Sequence, residues 1–299
     1  MADQFDELSA FMARHRLPAS FAITANEYFA PLGQWLEKRC APKGGATMVL
    51  GINGAQGTGK STLSNFLAEY LARQFGRNVV ELSIDDIYLT RAERQNLARD
   101  VHPLLVTRGV PGTHDLALGC SVIDALQCLE SGQSLPVPRF DKSTDDRVPK
   151  RDWPLAAGPV DVIILEGWCV GSKAQSDSAV AEPMNELEAD EDADGVWRRF
   201  VNDQLADHYP ALFGRLDALV YLEAPGFESV RTWRTEQEAK LRAVTSASAQ
   251  GLLSDREVLR FVAHFERVTR DNFERLPKSA DAVISLGTDH GATGIRFRL

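Results

Sequence analysis

The stretch GAQGTGKS at 54–61 constrains this chain more than any other, because it follows the apolar run TMVLGI at 47–52 and precedes a helical pattern. It satisfies GxxxxGK[ST], a loop whose backbone N–H groups wrap a polyphosphate at a helix N-terminus. Gly54, Gly57 and Gly59 let the backbone curl around the ligand, with Ala55, Gln56 and Thr58 between them. Lys60 reaches the outer phosphates, the Ser61 hydroxyl can ligate Mg²⁺, and Thr62 continues the helix start. The expected cofactors are ATP and Mg²⁺. A dinucleotide site fits less well, since GxGxxG is absent and the Lys-Ser pair would have no role.

Further apolar runs follow: VVELSI at 79–84, VIIL at 162–165, ALVYL at 218–222 and AVISL at 282–286. Their near-continuous hydrophobicity predicts parallel strands covered on both faces. Between them, Leu63, Phe66, Leu67, Tyr70 and Leu71 form one helical face, as do Trp197, Phe200, Val201 and Leu205, and Val258, Phe261, Val262 and Phe265. Ser254 and Glu257 have capping-box spacing ahead of the last stripe. Alternating strands and helices predict an α/β P-loop NTPase fold, a mostly parallel sheet with helices on both faces. Residues 1–45 read as a helical N-terminal extension broken at Pro18 and Pro31, and 46–290 as the core of a single domain.

Composition narrows the partners. With 299 residues, 44% of them hydrophobic, the chain can bury a large core. Lys plus Arg against Asp plus Glu gives 33 − 42 = −9, which argues against a nucleic-acid surface and favours a small ligand. Cys40, Cys120, Cys128 and Cys169 form no CxxC pair, as expected of free thiols in a reducing cytoplasm. MADQFDELSA lacks the form of a signal peptide and no apolar run is long enough to span a bilayer, so a cytoplasmic location is expected. The acidic stretch NELEADEDADG at 185–195 is expected to be a solvated loop, because like charges repel. Oligomeric state is left open.

The loop alone leaves the reaction open. No NKxD guanine-reading element and no LSGGQ-like transporter signature occurs. Two adjacent carboxylates, Asp85 and Asp86, end the run at 79–84 where a second strand would meet the phosphate cradle. One of them can accept a proton from an attacking hydroxyl; the alternative is that both cap the following helix. If the strand persisted, the two would point to opposite sides. Glu166 follows VIIL, where a carboxylate can hold Mg²⁺ or its water.

Together GINGAQGTGKST, LSIDDIYLT, RGVPGTHDL, PRFDKSTDDR, IILEGWCVG and WRTEQEAKLR, followed by LSDREVLRFV, resemble D-glycerate 3-kinase and its bacterial and fungal kinase-like relatives. These belong to the phosphoribulokinase, uridine kinase and pantothenate kinase group. The resemblance implies an ATP-dependent kinase acting on a hydroxyl of a small metabolite, D-glycerate first, with Asp85 as base. It implies an acceptor site at His114, Asp115, Asp141, Lys142 and Arg147. It also implies a helical lid over about 227–250, from which Arg231, Arg234, Lys240 and Arg242 would close on the phosphates. A pantothenate-like or nucleoside-like kinase, or a regulatory nucleotide binder without transfer, are the alternatives. Ile87 stands where the group's base motif has an aromatic, and His264, Phe265 and Phe273 follow SDREVLRFV where relatives tend to carry aromatics such as tyrosines.

Overall fold

The structure, a computed structural model, describes residues 2–244 and 254–298. Its centre is a six-stranded sheet: β1 (Met48–Gly54), β2 (Val79–Ser83), β3 (Val162–Gly167), β4 (Ala218–Glu223), β5 (Ala282–Leu286) and β6 (Ala292–Phe297), in the order β6-β5-β4-β1-β3-β2. The first five are mutually parallel, and β6 runs antiparallel to β5. All five apolar runs thus became strands. β6 was not anticipated, because ATGIRF mixes small and charged residues and carries no continuous apolar signal.

Side-chain alternation sends successive residues of a strand to opposite faces, and both faces are covered. Met48, Leu50 and Ile52 of β1 enter one core, whereas Val49 enters the other; Val162 and Ile164 of β3 separate from Ile163 and Leu165 in the same way. The first core lies under the helix after the phosphate loop, Lys60–Phe75, which buries Leu63, Phe66, Leu67 and Leu71. The second lies under the helices Leu116–Gln127 and Val196–Asp207 and part of the long helix Asp255–Ser279. That last helix begins in the anticipated capping box, with Ser254 and Glu257 bonded reciprocally.

The N-terminal extension packs on the first core through Phe11 and Phe29, whose rings lie 5.7 and 5.5 Å from that of Phe66. Pro31 does not break its helix. Helical backbone continues from Phe21 to Cys40, and a π-turn over Ala25–Phe29 widens the segment just where a proline ring would meet the preceding carbonyl.

The acidic stretch also differs from expectation. Glu186–Glu191 is a short helix, and Leu187, Glu188 and Asp192 are buried. Each buried acid has a dedicated cation: Glu188 meets Arg267 at 2.5 Å, and Asp192 meets Arg198 at 3.0 Å. Charge density had argued for solvation, but paired carboxylates can be buried where their partners come from elsewhere in the fold. Among the described residues, no helix is long and apolar enough to cross a membrane.

Candidate active site

The C-terminal ends of β1, β3 and β2 lie side by side, with Glu166 in register with both Ile52 and Ser83. Everything that follows these three strands is therefore delivered to one crevice, a cleft of about 570 Å³. After β1 the loop reverses through Gly57 at φ 83° and Gly59 at φ 84°, left-handed values that other residues rarely adopt. At Gly57 a Cβ would also stand 2.8 Å from Trp233 of the helix Phe227–Val244. Gly54, Ala55 and Thr58 form the base of the loop, with Thr58 Oγ1 donating to the Ala55 carbonyl at 2.8 Å. Gln56, Gly57, Gly59, Lys60, Ser61 and Thr62 face the cleft.

Lys60 Nζ donates to the Ala55 carbonyl at 3.1 Å, folded across the loop. Burial pushes its ammonium below the ordinary lysine value, against the attraction of Glu166 and Asp85. Ser61 Oγ donates to Glu166 Oε1 at 2.9 Å. Burial raises the Glu166 carboxyl, Lys60 opposes this, and the nearby Asp85 adds to it. Among the described residues no cluster of three or more His, Cys, Asp or Glu side chains is arranged to hold a metal. Mg²⁺ does not require one, since it keeps several waters and uses one or two protein oxygens with substrate phosphates. The Ser61 hydroxyl and Glu166 carboxylate, both hard oxygen donors at the loop mouth, fit that demand.

The two aspartates have separate environments. β2 ends at Ser83, and Ile84–Ile87 turns as a 3₁₀ helix rather than continuing the strand. Asp86 closes a capping box on Ser83 N at 3.2 Å and pairs with Arg139 at 3.1 Å. Asp85 faces the cleft, accepting from Tyr88 Oη at 2.5 Å and Lys142 Nζ at 2.6 Å. Burial would raise its carboxyl, but Lys142, through charge and hydrogen bond, and Tyr88 hold it below the usual carboxylate value.

Lys142 arrives at the tip of a two-stranded hairpin, Phe140–Asp141 against Asp146–Arg147. Asp141 shapes that tip, accepting from Ser143 N at 2.8 Å and Thr144 Oγ1 at 3.1 Å. Arg147 does not line the cleft: it donates to the Tyr88 carbonyl at 2.8 Å and to Asp115 at 3.1 Å. Asp115 caps the helix Leu116–Gln127 through Leu118 N at 2.9 Å. His114 is 5% exposed and shares a hydrogen bond with Tyr209, its ring 4.9 Å from that of Tyr88. These three residues brace the Tyr88–Asp85 segment from behind.

From the helix Phe227–Val244, Arg234 lines the cleft and pairs with Glu238 at 2.8 Å. Arg231 lines a separate recess and reaches Glu228 and Glu266 at 3.2 and 3.5 Å. Residues 245–250 of the anticipated lid, and the side chains of Lys240 and Arg242, lie outside the described residues.

Three cleft features were not anticipated from the sequence. Arg108 lines the wall beside Tyr88, and Trp168 lies behind it, donating to the Gly109 carbonyl at 2.8 Å. Trp233 stacks on His290 at 4.4 Å, and His290 Nδ1 stands 3.0 Å from the Gly57 carbonyl. Arg108 lies within RGVPGTHDL, Trp168 within IILEGWCVG and Trp233 within WRTEQEAKLR, which were the available signals; nothing local marks His290, whose meeting with Trp233 depends on the fold.

No protein-family model matches the chain. It is 36% identical over 241 residues to the uncharacterized kinase mug58 of Schizosaccharomyces pombe, covering 78% of this chain and 83% of that protein. It is 32% identical over 254 residues to the chloroplastic D-glycerate 3-kinase of Arabidopsis thaliana, covering 80% of this chain and 52% of that one, so it spans about half the plant protein's length. Among solved structures, D-glycerate 3-kinase from Cryptococcus neoformans superposes with a TM-score of 0.73 at 22% identity, covering 90% of this chain and 99% of that one, a likeness of fold.

Proposed function

This chain belongs to the family of P-loop kinases that holds mug58 and D-glycerate 3-kinase, and from that premise we propose that it phosphorylates a small hydroxy acid, D-glycerate before others. It is an ATP-dependent phosphotransferase with an alcohol acceptor. The observation that carries the finer reading is Asp85, held by Tyr88 and Lys142 in the same cleft as Lys60, Ser61 and Glu166.

In this reading the acceptor hydroxyl replaces Lys142 at Asp85. Its proton passes to the Asp85 carboxylate as its oxygen bonds to the γ phosphorus of ATP, and the bond to the departing ADP oxygen breaks. General-base assistance of this kind contributes roughly 10²–10⁴-fold. Two like unit charges 4 Å apart repel by about 4 kcal/mol at an effective dielectric constant of 20, so a carboxylate beside a triphosphate needs cations between them. Lys60 of the phosphate loop and Lys142 of the hairpin tip, both lining the cleft, supply two. Mg²⁺, when bound by Ser61 and Glu166, would offset charge on the transferring phosphoryl group. In this reading Arg234, which lines the cleft and pairs with Glu238, would turn to the phosphates.

The test is ADP release by the purified protein with D-glycerate, glycerol, pantothenate and uridine as acceptors. D-glycerate should give the highest kcat/KM. Greater turnover with pantothenate or uridine would reject the acceptor while leaving the kinase assignment intact.

A further inference from the structure

We infer that Arg108 binds the carboxylate of the acceptor, presented by a charge triad made with Asp145 and the buried Arg94. The inference deepens the hydroxy-acid reading above and rests on it for the chemistry of the acceptor.

The argument is one of charge. Around the acceptor side of the cleft most cations are matched one to one: Lys142 with Asp85, Arg139 with Asp86, and Arg147 with Asp115. The triad is different. Arg94 and Arg108 both pair with Asp145, leaving two guanidiniums on one carboxylate. Arginine stays protonated at any ordinary pH, so the triad carries a net positive charge. Arg94 cannot deliver that charge to a ligand: its side chain is 1% exposed, and it is committed to the Asp145 carboxylate at 2.9 Å and carbonyl at 2.8 Å. Arg108, 27% exposed, faces the cleft.

The triad is also held in place. Asp145 adopts φ 57°, a left-handed conformation that aspartate tolerates better than most residues but that still needs support from its surroundings. Arg94 supplies it from a helix, Arg91–Asp100, distant in sequence. Both guanidiniums lie over Phe140, at 5.8 and 5.6 Å from its ring centre, and Phe140 stands edge-on to Tyr88 at 5.1 Å. The next residue, Gly109, has φ 124°, and a Cβ there would lie 3.6 Å from the Tyr88 hydroxyl that holds Asp85. The unmatched cation and the base therefore flank one short stretch of wall. An alcohol whose hydroxyl meets Asp85 and whose anionic end lies a few bonds away can satisfy both, with the guanidinium fork taking the carboxylate. A neutral alcohol leaves the surplus charge of Arg108 without a partner.

The experiment compares kcat/KM for carboxylate-bearing acceptors (D-glycerate, pantothenate) and neutral ones (glycerol, uridine) in the wild-type protein, Arg108→Gln and Arg108→Lys. Melting temperature and its shift with ATP report folding and nucleotide binding. The wild type should prefer a carboxylate-bearing alcohol. Arg108→Gln should cut that preference about 30-fold or more through acceptor KM, the scale of a lost charge-assisted contact, with ATP KM within about threefold. Arg108→Lys should fall between. Preference for pantothenate, abolished by Arg108→Gln, would support the inference while rejecting glycerate. A glycerate preference untouched in Arg108→Gln, or a loss confined to ATP KM, would overturn the inference and leave glycerate standing. Preference for neutral acceptors, or no acceptor-dependent ADP release at all, would overturn both.

Discussion

Lys142 Nζ lies 2.6 Å from Asp85 Oδ2, so the proposed base is neutralised by a lysine that is itself largely exposed. The pair joins residues 57 apart in sequence, and Lys142 is the chief influence holding Asp85 below the usual carboxylate value against burial.

A pH prediction follows from this pair. Asp85 is held below the usual carboxylate value, so it should remain a competent base, and contribute stability, down to that depressed value, losing both as pH falls through it. Lys142→Met removes the main influence opposing burial and leaves the Tyr88 hydrogen bond as the chief remaining one. The acidic limb of the kcat/KM profile should then move to higher pH. An unmoved limb would show that Asp85 does not govern it.

Asp85→Asn and Asp86→Asn should separate chemistry from structure. The first should lower kcat by roughly 10²-fold or more with little change in ATP affinity, because the amide keeps the shape but cannot take the proton. The second should cost about 1–2 kcal/mol in urea unfolding, through the capping box and the Arg139 contact, with a smaller effect on kcat. The reverse pattern would exchange their roles.

Gly57→Ala should disable the nucleotide loop by two routes, a side chain at φ 83° and contact with Trp233 at 2.8 Å. Strain of this kind costs on the order of 1–3 kcal/mol. The melting-temperature rise produced by ATP should shrink or vanish. An ATP response equal to that of the wild type would mean that Trp233 moves aside freely.

His114 is buried, and burial pulls its imidazole from 6.5 down to about 4, with Asp85 opposing. A base whose folded value is depressed is neutral in the fold and charged in the unfolded chain between those limits. Stability should therefore drop as pH falls from about 6.5 towards 4, by up to about 3 kcal/mol from this group. His114→Gln should flatten that part of a stability–pH curve. A parallel curve would place the acid sensitivity elsewhere.

Glu188→Ala should strongly destabilise the protein, by about 3–5 kcal/mol, because it strands Arg267 in a buried site. Glu191→Ala, which breaks an exposed pair with Arg260, should cost no more than about 1 kcal/mol. Chemical denaturation of the two variants checks the contrast, and equal small losses would restore the view of this segment as a solvated acidic loop.

Whatever depends on neighbours along the chain was determined by the sequence itself. The phosphate loop at 54–61, the five apolar strands, the helical stripe from Leu63 to Leu71 and the Ser254–Glu257 capping box all follow from spacing, since strand and helix periods act over a few residues. The acids at 85, 86 and 166 could be placed at strand ends for the same reason, and parallel order then brings strand ends together. Only the tertiary structure decided which charged group meets which. Arg147 turns to Asp115 while Arg108 faces the cleft; Glu188 is buried on Arg267; β6 gains its place by pairing with β5; Trp233 reaches His290 and Gly57. Apart from the β5–β6 pairing, these contacts link residues tens of positions apart or more. A charged side chain has the same local preference whether it ends in water or in an ion pair, and the difference lies in the desolvation and partner that the folded chain supplies.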